Sequence, residues 1–377
     1  YSFNNTTING STESQIFNIK KVNNNYSISK TPIINGDFAL GIYTYDKSNE
    51  SHNKNGVYSI KVSVDSNIIY EFTVDKLDFS TSRYINAHID YKEKKESRNK
   101  YHRCYKLPHN KLSNYSNVIN NGIISFNDND LHLLQVEVVD IFGNNSTLSF
   151  NVKSTLKNSS ITKINEVNSL TKFFYKQPNI FKSKDFEMHM EANSIYESLN
   201  LTYNTQDSID GIFGVLHQVH NDKIPVHKKY VLSIKANVPS SLNEKVFIAK
   251  KDEYNNFWYK GGSWKNGFLR TKVREFGDFC IVADTINPEI VEVNIFSGKV
   301  LNSQSTIKLK IKDKQSGIKS YRGEINGKWI LMDYDAKRNL LKFDFKDSNI
   351  SKGKHIFTLK VIDNVGNTTN YKAEFTY

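Results

Sequence analysis

Leu134-Gln135-Val136-Glu137-Val138-Val139 runs into Asp140-Ile141-Phe142-Gly143-Asn144, and Phe357-Thr358-Leu359-Lys360-Val361-Ile362 runs into Asp363-Asn364-Val365-Gly366-Asn367. The two stretches share one pattern: apolar and polar residues alternate, then an Asp-x-x-Gly-Asn segment breaks the run, and alternation resumes. Alternation with period two places one set of side chains on a buried sheet face, and Gly-Asn chemistry turns the chain back, so each stretch predicts a β-hairpin. His132 and His355 fall in register within the two copies. The match extends upstream. Leu40, Ile42 and Thr44 before Asp46-Lys47 correspond to Ile307, Leu309 and Ile311 before Asp313-Lys314. Gly56-Val57-Tyr58-Ser59 corresponds to Gly317-Ile318-Lys319-Ser320. Nine residues after each glycine lies a turn, Asp65-Ser66-Asn67 or Asn326-Gly327-Lys328. Two widely separated copies of a multi-hairpin unit predict duplicated β-sandwich domains.

The rest of the chain fits that class. Its 377 residues are enough for two to four domains. The 23 Phe and 21 Tyr suit strands, and Leu-rich or Ala-rich helical stretches are scarce. The expectation is all-β, with three tandem β-sandwich domains, the first and third immunoglobulin-like and homologous. The first is placed at 1–153, with N-terminal strands and an inserted region over 76–115. Within that insertion, Lys92 to Lys100 reads as a solvated loop, and His88 and Asp90 read as sharing a strand face. The middle sandwich is placed at 154–284, on the strength of alternation over Val231 to Val238 and short strands with glycine turns around Phe257 to Phe279. The third runs over 285–377, opened by Asp284-Thr285-Ile286-Asn287-Pro288, because proline cannot donate into a central ladder.

A net charge of +12 raises the question of nucleic acid. Lys308, Lys310 and Lys312, however, fall on the outward phase of one strand, where lysine keeps a sheet soluble. The reading is no nucleic-acid partner, with a basic face toward an anionic envelope polymer as the alternative use of the charge. No apolar run approaches the length of about 20 residues of a membrane span. Two cysteines, Cys104 and Cys280, make no disulfide framework.

The chemistry-bearing residues are sparse in pattern. None of the ten histidines has Asp four residues on, and no two are separated by one residue. The spacing that holds a catalytic zinc with an open position is therefore missing. His217-x-x-His220 with His227, and His102-x-Cys104 with His109, are the nearest clusters, and both read as packed or hydrogen-bonded groups. No nucleophile elbow or phosphate loop occurs, so no catalytic and no metal-binding residue is assigned. The Asp-x-x-Gly-Asn segments read as Asx turns, since they lack the alternating carboxylates of a calcium loop. Trp258, Tyr259 and Trp264, with Phe268, are candidates for a carbohydrate or partner contact, against core packing at a hairpin. Asp207-Ser208-Ile209 and Asp284-Thr285-Ile286 are short Asp-Ser/Thr-apolar segments, which makes Ser208 and Thr285 candidates for O-glycosylation.

Several segments in order carry a resemblance. These are Gly41-Ile42 through Asp46, Asn53-Lys54-Asn55-Gly56-Val57-Tyr58-Ser59 and Arg83-Tyr84-Ile85-Asn86-Ala87-His88-Ile89-Asp90-Tyr91, followed by Arg274-Glu275-Phe276-Gly277-Asp278-Phe279, Ser316-Gly317-Ile318-Lys319-Ser320-Tyr321 and Gly327-Lys328-Trp329-Ile330. Together they resemble the region that follows the catalytic domain in lysostaphin-like zinc endopeptidases of Bacteroidetes. The resemblance implies β-sandwich modules behind a peptidoglycan-cutting domain that would lie before residue 1 and hold the zinc. No cofactor is then expected in this chain itself. It implies a periplasmic or cell-surface location, associated with the outer membrane, and partners among envelope proteins, an outer-membrane complex or peptidoglycan. The expected role is a non-catalytic scaffold or docking region. The alternatives are an accessory part of an active zinc endopeptidase and a carbohydrate-binding module.

Overall fold

The computed structural model describes residues 1–3, 6–22, 25–47, 52–156, 171–207, 209–301, 304–347 and 349–377. Strands dominate, and the helical pieces are short. Three sets of sheets follow one another along the chain, each around its own apolar core.

The repeated hairpin forms as its alternation requires. Leu131–Val139 pairs antiparallel with Asn145–Ser154, and Lys354–Asp363 with Thr368–Thr376. Leu134 and Val136 in one copy, and Phe357, Leu359 and Val361 in the other, are buried on the inner face. Gly143 and Gly366 sit at φ +87° and +83°, in the left-handed region, with open space around them. The turn there selects glycine for its backbone freedom and not for lack of room.

The duplication extends to topology. In the third domain the sheet runs Lys299–Val300, Thr368–Thr376, Lys354–Asp363, Ile318–Ile325, Lys328–Ile330. In the first it runs Ile33–Asn35, Asn145–Ser154, Leu131–Val139, Ser59–Val64, Asn67–Thr73, with further short strands at its edges. In both, the first-named strand joins the hairpin in parallel. The facing sheets differ. The third domain keeps four strands there, whereas the first keeps two, Gly41–Tyr43 and Tyr101–Arg103.

Residues 76–115 explain that loss and correct the expectation for this region. It is not wholly an insertion, because Tyr101–Arg103 is a strand of the facing sheet. The remainder is partly helical: Ile85–His88 and Tyr91–Glu96 are α-helices. Asp90 accepts a hydrogen bond from the Glu93 N–H and so caps the second helix, which occupies the first half of the Lys92 to Lys100 stretch expected as a loop. His88 ends the first helix, so it does not share a strand face with Asp90. Tyr84, Ala87, Tyr105, Leu107 and Leu112 fill the core where strands would otherwise lie.

The middle domain is a sandwich of two five-stranded sheets. Phe186–Met190, Pro225–Ile234 and Phe268–Glu275 lie in one, and Phe213–Val219, Gly277–Ala283 and Val246–Lys251 in the other. Phe186, Met188, Leu232, Ile248 and Phe279 form its interior.

Candidate functional site

Both joints between domains are built from specific polar contacts. At the first, Tyr196 of the middle domain inserts into the core of the first. Its hydroxyl donates to the Arg83 carbonyl at 2.9 Å, and its own carbonyl accepts from the His109 N–H at 2.9 Å. His227 Nδ1 lies 3.1 Å from the Tyr196 hydroxyl. That hydroxyl has already given its proton to Arg83, so Nδ1 carries the imidazole proton. The His227 ring stacks on Tyr84 with centroids 4.2 Å apart. Burial holds its pKa down to about 4, with His109, Arg83, Lys228 and Arg274 adding to the effect. The capped helix closes the joint from the other side, with Lys95 2.7 Å from Asp222 and Lys223 paired with Glu96.

At the second joint Asp363 and Asn367, the two ends of a turn of the third domain, are buried. Asp363 Oδ1 accepts from the N–H groups of Val365 and Asn367, and the Asn367 amide donates to Asp363 Oδ2 and to the Asp284 carbonyl. Lys245 donates to the Val365 carbonyl, and the Val365 side chain packs against the middle domain's cluster of Phe247, Cys280 and their neighbours. Asp284 accepts from the N–H groups of Ile286 and Ser316, and Asp313 from those of Gln315 and Gly317. Carboxylate oxygens of Asp284, Asp313 and Asp363 lie within 4.8 Å of one another. Burial, with its two acidic neighbours, raises the pKa of Asp313. An all-oxygen set of this kind suits a hard cation and not zinc. No local spacing in the sequence marks this group, because its members come from three separate segments.

The histidine clusters named from sequence do not assemble. His217 is buried with Nδ1 2.8 Å from the Tyr203 hydroxyl, His220 meets Thr202, and His227 belongs to the first joint. His102 Nδ1 is 2.9 Å from His88 Nε2, whereas His109 sits with the Tyr196 group. Among the described residues, no histidine joins a group of three or more side chains close enough to share an ion. Cys104 and Cys280 are free and buried, and burial pushes both thiols up to about 12. A thiol held that high supplies almost no thiolate at neutral pH.

The aromatic candidates separate. Trp258 is 56% exposed on an edge strand, with Nε1 donating to Asp252. Trp264 is 37% exposed on an edge strand of the opposite sheet, with Nε1 donating to the Asn243 carbonyl. Core packing is therefore the wrong account of both tryptophans. It is the right one for Tyr259, whose ring packs on Phe247. The anchor of Trp258 is a third Asx turn, in which Asp252 accepts from Tyr254 and Asn256 as Asp363 does from Val365 and Asn367. Thr285 is exposed in the linker beside buried Asp284, and Ser208 lies outside the described residues.

A cleft of about 510 Å³ opens at the first joint, where Arg83 meets Lys228, Lys229 and Arg274. A larger cavity of about 720 Å³ runs from apolar residues of the first domain, such as Phe17, Ile34 and Phe150, past a polar end at Asp90 and Arg103 to residues of the middle domain such as Glu197 and Lys223. Tyr1 donates to Asp90 there at 2.6 Å.

A family profile described as a Zu5-like domain matches residues 170–284. These are the residues of the middle sandwich. No curated protein matches the chain. Among solved structures, fibronectin(III)-like modules of Clostridium thermocellum CbhA align at 14% identity, over 40% of this chain and 85% of theirs, with a TM-score of 0.19. A Bacteroides ovatus glucan-utilisation protein, SGBP-B, solved with a mixed-linkage heptasaccharide, aligns at 9% identity over 100% of this chain and 71% of its own, with a TM-score of 0.16. A bacterial ice-binding adhesin aligns at 12% identity over 86% and 87%, with a TM-score of 0.17. Similarity this slight carries no argument, and the assignment of the fold rests on the sheets themselves. No helix among the described residues is long and apolar enough to cross a membrane.

Proposed function

We propose that this chain is a non-catalytic scaffold of the cell envelope, which docks a lysostaphin-like peptidase homologue on the cell wall or an outer-membrane complex. The observation that carries the reading is the construction of the joints. Tyr196 and the capped helix tie the first two sandwiches together, and the Asp284–Asn367 contacts tie the last two. Modules joined both by hydrogen bonds and by side chains packed into a neighbour's core, Tyr196 at one joint and Val365 at the other, hold their ends at set positions, as a spacer or platform must. The ordered resemblance to post-catalytic modules supplies the envelope context.

The test is sedimentation of the purified chain with envelope fragments. Co-sedimentation that survives removal of membrane lipid supports docking, whereas a chain that stays in the supernatant contradicts it. Intact mass and N-terminal sequencing of the native protein separate the scaffold from the accessory reading. An additional N-terminal domain with bound zinc would favour a regulatory part of an active endopeptidase. Exposed Trp258, its indole held by Asp252, favours a second reading as a carbohydrate-binding module. Loss of polysaccharide retention in Trp258→Ala would support it.

A further inference from the structure

We propose that the cleft at the first joint binds a phosphate group carried on an anionic envelope polymer. Arg83 comes from the short 3-10 turn Ser82–Tyr84 of the first domain, Lys228 and Lys229 from strand Pro225–Ile234, and Arg274 from the neighbouring strand Phe268–Glu275. Four cations on three elements of two domains thus face one opening, and no Asp or Glu lines it.

Elsewhere at this joint the lysines are neutralised: Lys95 and Lys250 by Asp222, and Lys250 and Lys260 by Glu275. Among the described residues, Arg83, Lys228, Lys229 and Arg274 form no ion pair. Lys228 donates only to the Ala192 carbonyl. Asp78, close by in sequence, accepts from the N–H of Ser80. The Nε–H of Arg274 is buried with no acceptor, although a buried donor ordinarily finds one. Like charges collected around a partly enclosed cleft repel each other and focus a positive potential into it. An oxyanion seated there would relieve the repulsion. The depressed pKa of His227, to which Arg83, Lys228 and Arg274 contribute, agrees with their convergence.

Phosphate is the class that fits. Its several oxygens take donors from several directions, two guanidinium forks supply paired N–H groups, and two ammonium groups add charge. A polymer is favoured over a membrane surface because Arg83 and Lys229 are exposed but Lys228 and Arg274 are partly buried in a cleft between domains, where a flat headgroup layer reaches poorly. The choice of an envelope polymer rests on the docking reading above, but the binding of phosphate does not.

The experiment is calorimetric titration of the whole chain with inorganic pyrophosphate and with polyphosphate, at about 50 mM salt and again at about 200 mM. Arg83→Gln/Arg274→Gln is compared with Lys310→Gln/Lys319→Gln, which removes the same charge from exposed positions of the third domain. The expected result is at least about tenfold weaker binding for the cleft variant and less than about twofold for the control. Equal weakening in both variants, or no binding by the wild type at low salt, overturns the proposal. If the double variant fails to fold, exposed Lys229→Gln should still weaken binding several-fold, and an unchanged affinity overturns the proposal. Flotation with phosphatidylglycerol vesicles that depends on Arg83 and Arg274 would make the source a lipid and overturn the polymer assignment. Envelope sedimentation unchanged in the cleft variant removes the cleft and leaves docking intact. Pyrophosphate binding without envelope sedimentation does the reverse.

Discussion

The Asp140 and Asp363 turns have the same sequence logic and nearly the same hydrogen bonds, yet opposite surroundings. Asp140 accepts from Phe142 and Asn144 at 2.8 and 2.9 Å, and Asp363 from Val365 and Asn367 at 3.0 and 2.7 Å. Phe142, however, is 87% exposed, whereas Asp363 is wholly buried and Val365 packs on the middle domain. Local chemistry makes the turn, and its place in the chain decides whether that turn becomes a joint. The duplicated unit therefore carries a preformed connector, used in the third domain and left open in the first. The far end of each hairpin shows a milder version of the same divergence. Asp65 and Asn326 each accept from the backbone N–H after the paired histidine, Leu133 or Ile356, at 2.8 Å. Only His132 gains a second carboxylate, Asp128.

The comparison can be broken by matched substitutions. In the shared core the copies should behave alike: Leu134→Ala and its counterpart Phe357→Ala, both wholly buried, should each cost about 2–5 kcal/mol in chemical denaturation. A loss well below that in one copy would mean that the two cores are not equivalent. In the turns they should diverge. Asp363→Ala strands the backbone N–H groups of Val365 and Asn367 at the joint and takes one acceptor from the Asn367 amide, which keeps the Asp284 carbonyl, at a cost of about 3 kcal/mol, whereas Asp140→Ala exposes its donors to water and should cost about 1 kcal/mol or less. Equal costs would deny the joint.

Acid should loosen the first joint. His227 has a folded pKa of about 4, below the unfolded value of about 6.5. Between those values the unfolded chain binds the proton and the folded one does not, so stability is lost as pH falls from about 6.5 to about 4. His109 is shifted in the same direction. Thermal melts across that range should fall more steeply for the wild type than for His227→Gln, and parallel curves would remove the joint as the cause. The smallest effects belong to exposed side chains. Phe142→Ser and Trp329→Ala, the latter side chain 57% exposed, should each change stability by less than about 1 kcal/mol.

The repeat was legible because period-two burial and Asx turns are encoded within a few residues of one another. Leu134, Val136, Phe357 and Leu359 announce their own face. The region over 76–115 was not, because a strand of three residues, Tyr101–Arg103, carries too little pattern to stand out. Its helices are equally short, and Asp90 reads as a strand neighbour of His88 until the cap is seen. The tryptophans misled for another reason: alternation says which residues share a face, not whether an edge strand leaves that face uncovered. The cleft and the carboxylate group could not be read at all. Arg83 meets Arg274, and Asp284 meets Asp313 and Asp363, only after domains pack, and no local spacing records that packing.

Amide hydrogen exchange on the whole chain tests the connector most directly, since it reads the two turns in one molecule under one condition. Asn144 and Asn367 each donate a backbone N–H to the first aspartate of their turn, at 2.9 and 2.7 Å, so hydrogen bonding alone predicts similar protection. Burial at the joint predicts that Asn367 exchanges only when the third domain leaves the middle one or unfolds, at least about 100-fold more slowly than Asn144, which opens locally. Equal protection at the two amides would contradict the account and leave the Asp363 turn as exposed in solution as its counterpart.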